Sequence, residues 1–379
     1  MRRILILLTI LSIWIISVAS SPVVTGAKVR MKSKKFEETV QVLEENKGKY
    51  PDDPELFYYL ARAYAGIAQW ADAGKNFSVA LEKNPDRELR KEIDKYRDNY
   101  WAQFVKEATA LLGQKRFTDA IGKFQIANII NPERKESYEN LGIAYLEQAQ
   151  IFQSAEPPKP DSANLYFDSS IESLKKAIEL DPQDEQFQKN LGQAYIAAGK
   201  EGEAVEVFEQ YLEKFPDDIT AQKKLATIYM TRKEFPKAVD MYDGLLADAG
   251  VELSAADYFN AGTCYYQEYM KIFKAEDEAT KKKAAELLGK AADAYTEVVA
   301  QDPTDCESGE QLYYICITQE KWQEVIKTIE MMLTNGCERS YVTLSNLSVA
   351  YTKINNMEKA KQLYEEAQAK KPNEGGKSN

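Results

Sequence analysis

A short phrase returns four times in this chain. Residues 140–145 read NLGIAY, 190–195 NLGQAY, 260–265 NAGTCY and 346–351 NLSVAY. Small and aromatic residues that recur at helical spacing describe a helix that must lie very close to a neighbour. A helical unit this short cannot bury its apolar face alone, so its copies must stack. The recurrence therefore predicts an all-α solenoid before any single residue is assigned a role.

The phrase is one quarter of a longer unit. Phe57, Leu60, Ala61 and Tyr64 are followed by Trp70, Ala73, Phe77, Ala80 and Pro85. The second half of that unit recurs as Ala120, Phe124, Ala127 and Pro132, then as Ala204, Phe208, Tyr211 and Pro216. It returns as Ala291, Tyr295, Val298 and Pro303, and finally as Ala360, Tyr364, Ala367 and Pro372. Weaker copies are Ala238 with Tyr242 and Val325 with Ile329. In order and spacing this resembles the tetratricopeptide repeat, a helix-turn-helix unit of about 34 residues. The resemblance implies a right-handed superhelix in which the first helix of each pair, helix A, lines a concave groove that binds peptides or partner proteins.

Close-approach positions on helix A fall at Ala61, Ala108, Gly142, Gly192, Ala226, Gly262, Tyr313 and Ser348. They predict about eight repeats over residues 54–371, preceded by a half-repeat at 36–53 that supplies a helix B. Tyr313 breaks the small-residue rule and predicts a different packing there. Three insertions interrupt the register. The stretch near 87–100 has no breaker and should lengthen or bridge helices. The stretch near 153–167 carries Pro157, Pro158 and Pro160 and reads as an exposed loop. The stretch near 275–290 is helical and charged, and should extend a helix pair outward. Residues 372–379 read as a flexible tail.

Residues 1–20 pair Arg2 and Arg3 with an apolar run and then Ser17-Val18-Ala19-Ser20, the pattern of a cleaved signal peptide. The alternative is a membrane anchor formed by residues 4–19. Five cations between Gly26 and Lys35 oppose export, and residues 21–35 read as a basic linker. Either way the expected location is outside the cytoplasm, in the periplasm or cell envelope, as for an exported bacterial repeat protein. Membrane contact is expected only if the N-terminal segment stays uncleaved.

The net charge of -11 argues against nucleic acid as a partner. Histidine is absent, which removes the usual near-neutral base and the commonest metal ligand. No phosphate-binding loop, dinucleotide fingerprint or nucleophile elbow is present. Neither enzyme activity, nor a cofactor, nor a metal is expected. Cys264, Cys306, Cys316 and Cys337 form no CxxC and allow three pairings in an oxidising compartment. Cys306 and Cys337 stand at the two ends of one helical hairpin, which favours that disulfide; buried or free thiols are the alternative.

By resemblance, the groove positions include Tyr58, Arg62, Lys189, Lys223, Phe259 and Tyr314, with Tyr266 as a further aromatic. Family members that clamp a terminal carboxylate pair Lys with Asn at these positions, and Lys189 and Lys223 lack that Asn. In the superhelical repeats of O-linked glycosyltransferases, Asn at the position of Asn140, Asn190, Asn260 and Asn346 forms a ladder that holds a peptide backbone. An amide suits that role because it both donates and accepts. Here Tyr59, Lys106, Lys224 and Gln311 interrupt the ladder. The bland reading is that Asn satisfies local polar groups. The expected function is a non-catalytic scaffold binding proteins or extended peptides. The alternatives are a structural part of an envelope assembly that uses convex faces and insertion loops, and a regulatory subunit of a separately encoded enzyme.

Overall fold

Helix formers dominate the repeats, and carboxylates stand where several of the first helices begin. Asp53, Asp184, Asp218 and Asp305 each accept backbone N–H bonds at a helix start. The computed structural model describes residues 21–248 and 250–371. The expected signal peptide or anchor and the expected tail lie outside these residues. The described residues form α-helices and no strand, and none of these helices is long and apolar enough to cross a membrane. The chain divides into two compact units, residues 1–198 and 199–379.

The first unit contains α1 (Pro22–Lys32), α2 (Phe36–Asn46), α3 (Pro54–Gly66), α4 (Trp70–Glu82), α5 (Arg87–Gly113), α6 (Phe117–Ile130), α7 (Lys135–Gln153), α8 (Pro160–Leu180) and α9 (Glu185–Ala197). The second contains α10 (Glu201–Lys214), α11 (Ile219–Thr231), α12 (Phe235–Ala247), α13 (Ala255–Ile272), α14 (Glu278–Gln301), α15 (Cys306–Thr318), α16 (Trp322–Thr334), α17 (Tyr341–Lys353) and α18 (Met357–Ala369). In the first unit the core runs from Val24, Leu43, Leu56 and Phe77 to Ile93, then continues through Phe124 and Phe167. In the second it is strongly aromatic, with Phe208, Tyr211, Tyr242, Tyr265 and Tyr313 fully buried.

Close approach of paired helices is visible where it was expected. A Cβ on Gly142 would meet Leu174 at 2.6 Å, and one on Gly262 would meet the Tyr295 ring at 3.1 Å. Tyr313 is buried, and the small residue its helix needs lies one turn earlier. Gly309 stands so close to Met332 that an added Cβ would fall 2.7 Å from its sulfur.

Two expectations are corrected. Residues 21–35 are not a linker, because Pro22–Lys32 is a helix that packs on α2 and α3. Val24 and Ala27 are its buried stripe, and Ser21 caps it by accepting the Val24 N–H at 3.4 Å. Two of its cations are ion-paired, Lys28 with Glu55 at 2.6 Å and Arg30 with Glu38 at 3.2 Å. The expected half-repeat is therefore half of a complete hairpin, α1–α2. The loop expected over 153–167 is also shorter. Pro160 opens α8, a position where its missing N–H costs nothing, and Ala163 and Phe167 are buried against Ala149.

Candidate interaction faces

In the first unit, the Asn140 amide donates to the Glu136 carbonyl of its own helix at 2.7 Å. Asn190 on α9 reaches another repeat, its amide donating to Glu139 Oε1 on α7 at 2.9 Å while its carbonyl accepts from Gln186 at 2.9 Å. Burial raises the Glu139 carboxyl above its ordinary range, nearby Asp184 adds to this, and the Asn190 bond opposes it. Lys189 lies beside it on α9, half-buried.

Arg62 is enclosed by aromatic rings. Its guanidinium carbon lies 4.0 Å from the Tyr96 ring centre, 5.3 Å from that of Tyr58 and 5.4 Å from that of Tyr59. It donates to the Tyr58 hydroxyl at 3.2 Å, which in turn donates to Glu92 at 3.1 Å. Tyr58 has no exposed surface, so the expectation that it anchors a ligand is corrected: it is packing between α3 and α5. Beside it opens a cleft of about 1490 Å³, with Lys28 and Arg62 facing Glu55 and Glu92.

In the second unit, Lys223 on α11 is bound to the start of α13. Its ammonium donates to Asp257 at 3.0 Å and to the Glu252 carbonyl at 2.8 Å. Burial pushes the buried Tyr242 hydroxyl up to about 12, and Thr227 and Asn260, which lie beside it, oppose that rise. Asn346 likewise faces the buried Tyr313 hydroxyl across a repeat boundary, and Tyr313 is held far above its ordinary range by burial and by Tyr314. Asn140 and Asn190 are thus hydrogen-bonded within the fold.

Other groove positions remain open. Phe259 packs edge-on against Tyr295 with ring centres 5.9 Å apart, and Thr263 meets the Tyr295 hydroxyl at 3.2 Å. Tyr266 and Tyr269 follow at 5.9 Å, then Phe273 at 5.7 Å. Met270, Phe273, Tyr314 and Val349 are exposed. Tyr269, Met270 and Phe273 were not singled out from sequence. Tyr269 and Met270 occupy the overhang of α13, which has 18 residues where α11, α15 and α17 each have 13, and Phe273 caps its end. The signal was available, because Phe259, Tyr266, Met270 and Phe273 keep the helical spacing of one stripe.

Cys306 and Cys337 form a disulfide with Cα atoms 5.7 Å apart. Cys264 and Cys316 are buried thiols, and burial pushes Cys264 up to about 12. Such a thiol stays protonated and unreactive near neutrality. Among the described residues, no three His, Cys, Asp or Glu side chains gather as a metal-holding group. In the second unit the A helices and the turn after α13 leave apolar side chains exposed at Met270, Phe273, Tyr314 and Val349.

Two family models, both described as tetratricopeptide repeat, match residues 167–226, 196–257 and 343–375. No curated protein matches the chain. Among solved structures, the human IFIT1 dimer with m7Gppp-AAAA is similar at 17% identity, covering 90% of this chain and 88% of its own, with a TM-score of 0.35. The C-terminal part of a repeat-containing protein from Cytophaga hutchinsonii is 17% identical, over 76% of this chain and 99% of its own, at a TM-score of 0.39. YrrB, described as having an unusual peptide-binding site, is 16% identical over 59% and 93%, at 0.38.

Proposed function

Because this chain is a tetratricopeptide-repeat protein, we propose that it works as a non-catalytic interaction scaffold that holds an extended segment of another protein on its A-helix faces. One observation carries the reading: apolar surface on those helices that repeat stacking leaves uncovered. Met270, Phe273, Tyr314 and Val349 are all exposed in the second unit. Aromatic anchors of this kind dominate binding energy at protein interfaces. Within each unit the asparagines of the A helices supply backbone contacts. Asn190 uses one of its two N–H donors on Glu139 and one acceptor position on Gln186, which leaves capacity for a bound chain.

The proposed site of action is the cell envelope. The basic, apolar and small-residue order of residues 1–20 supports it, and a disulfide suits an oxidising compartment. Exposed Ile151 and Leu165 on the α7–α8 hairpin favour the second reading, an assembly contact through the insertions.

Photo-crosslinking in the native cells distinguishes the two. A benzophenone residue replacing Tyr314 or Phe273 is expected to trap a partner, and Asn260→Ala, in the same unit, to reduce the yield. Adducts formed at Leu165 but at neither aromatic position would reject the A-helix reading. The same preparation gives the N-terminus by mass spectrometry. A chain starting near Ser21 supports export with cleavage, and an intact Met1 supports the anchor.

A further inference from the structure

One position in helix B behaves differently in the last repeat. Phe77, Phe124, Leu174, Phe208, Tyr242 and Ile329 are 0% exposed and Tyr295 is 2% exposed, whereas Tyr364 at the same register is 55% exposed. A second position agrees. Phe117, Phe167 and Leu288 are buried at 7%, 3% and 5%, and the corresponding Met357 is 58% exposed. The cause is topological. Within each unit a helix B packs on the helix A that follows, as α6 on α7, α14 on α15 and α16 on α17. Among the described residues α18 packs chiefly on α17, with Glu366 also accepting from Arg339. Helix α18 thus keeps an exposed Met and an exposed Tyr on the stripe.

We propose that the outer face of α18 is a self-association surface, covered by the same face of a second copy of this chain. Charge selects that occupant. The chain carries a net charge of -11, so two copies repel over most of their surface. From Met357 to Lys371, however, there are three carboxylates and four ammonium groups. Where earlier repeats place Ile121, Ile171, Val205 and Ala292 on this stripe, the last one places Lys361, one turn before Glu365. Their side chains are 79% and 66% exposed and 3.9 Å apart. In an antiparallel two-fold pairing centred near Leu363, Lys361 of each copy meets Glu365 of the other. The two Tyr364 rings then lie beside the axis. Such an interface is self-complementary, as a two-fold contact requires, and has aromatic anchors at its centre.

Sedimentation equilibrium of the purified chain tests this. A concentration-dependent dimer is expected, weakened about tenfold or more by Tyr364→Asp. Lys361→Glu and Glu365→Lys should each weaken it, and the double swap should restore it. Tyr314→Asp, on an A-helix face, should leave it unchanged. Circular dichroism shows whether each variant is folded; all four positions are exposed or on an outer face, so folding is expected to survive. A chain that stays monomeric at every soluble concentration would overturn the proposal. So would a dimer indifferent to Tyr364→Asp, a double swap that fails to recover, or a crosslink from position 364 that traps only a different protein.

Discussion

At the scale of single residues, charged side chains that a groove could use are mostly committed to stacking. Lys223 shows the logic, because its partner Asp257 also closes a capping box. Asp257 accepts from the Ser254 N–H at 2.9 Å and from its hydroxyl at 2.8 Å, and the Asp257 N–H donates back to that hydroxyl at 3.2 Å. Burial raises the Asp257 carboxyl, but the Ser254 bonds and Lys223 outweigh it, and the net shift is downward. A depressed carboxylate stabilises the fold fully above its unfolded pKa, about 4. That contribution is lost as pH falls through the lower folded value. Asp257→Asn is therefore expected to cost about 1–2 kcal/mol at neutral pH, with the difference shrinking only below about pH 4. Hydrogen exchange across α11–α13 at neutral and acid pH reads it. A difference that stays constant with pH would show that charge is not the cause.

At the scale of elements, what was legible in the sequence is what stacking demands of every copy. Gly142 and Gly262 recur because a side chain there would enter Leu174 or Tyr295. Most of the turns were not legible. In the short hairpins one residue adopts a left-handed conformation: Lys34, Ala68, Lys115, Lys233, Glu320 and Asn355 have φ between 53° and 61°, and Gly199 has φ 68°. Glycine would mark such positions, and of these only Gly199 is glycine. The fate of Arg62 and Lys223 was hidden for another reason. Their partners Glu92, Tyr96 and Asp257 sit on other helices, and the Lys223–Asp257 separation is 34 residues. The open faces were partly legible: Phe259, Tyr266 and Tyr314 belong to the repeat register, but the overhang of α13 does not. Helix contact also separates two glycines that look alike in sequence. A Cβ on Gly74 of α4 would fall 2.3 Å from the Ile129 carbonyl oxygen of α6, a backbone atom that cannot swing away. Gly122, inside α6, has nothing within 4 Å. Gly74→Ala is expected to destabilise by about 1–3 kcal/mol, and Gly122→Ala to stabilise by up to about 1 kcal/mol. Urea unfolding of both variants measures this, and equal effects would contradict the close α4–α6 contact.

At the scale of the whole molecule, helices pack on the next one or two in the chain. Stability in such an array is close to a sum of repeat terms and nearest-neighbour terms. A local lesion should therefore stay local. The Cys306–Cys337 disulfide offers a clean lesion, because it closes the α15–α16 hairpin over a sequence separation of 31 residues. A loop of that length implies about 3–4 kcal/mol, chiefly through the unfolded chain. Replacing both cysteines by serine is expected to remove protection from amide exchange in α15 and α16. The loss should spread more weakly to α14 and α17, which pack on them, and leave α3–α6 unchanged. Local opening of this kind is what exchange resolves and a single melting temperature does not. If protection instead fell evenly from α1 to α18, the chain would unfold as one cooperative body, and the nearest-neighbour account would be wrong.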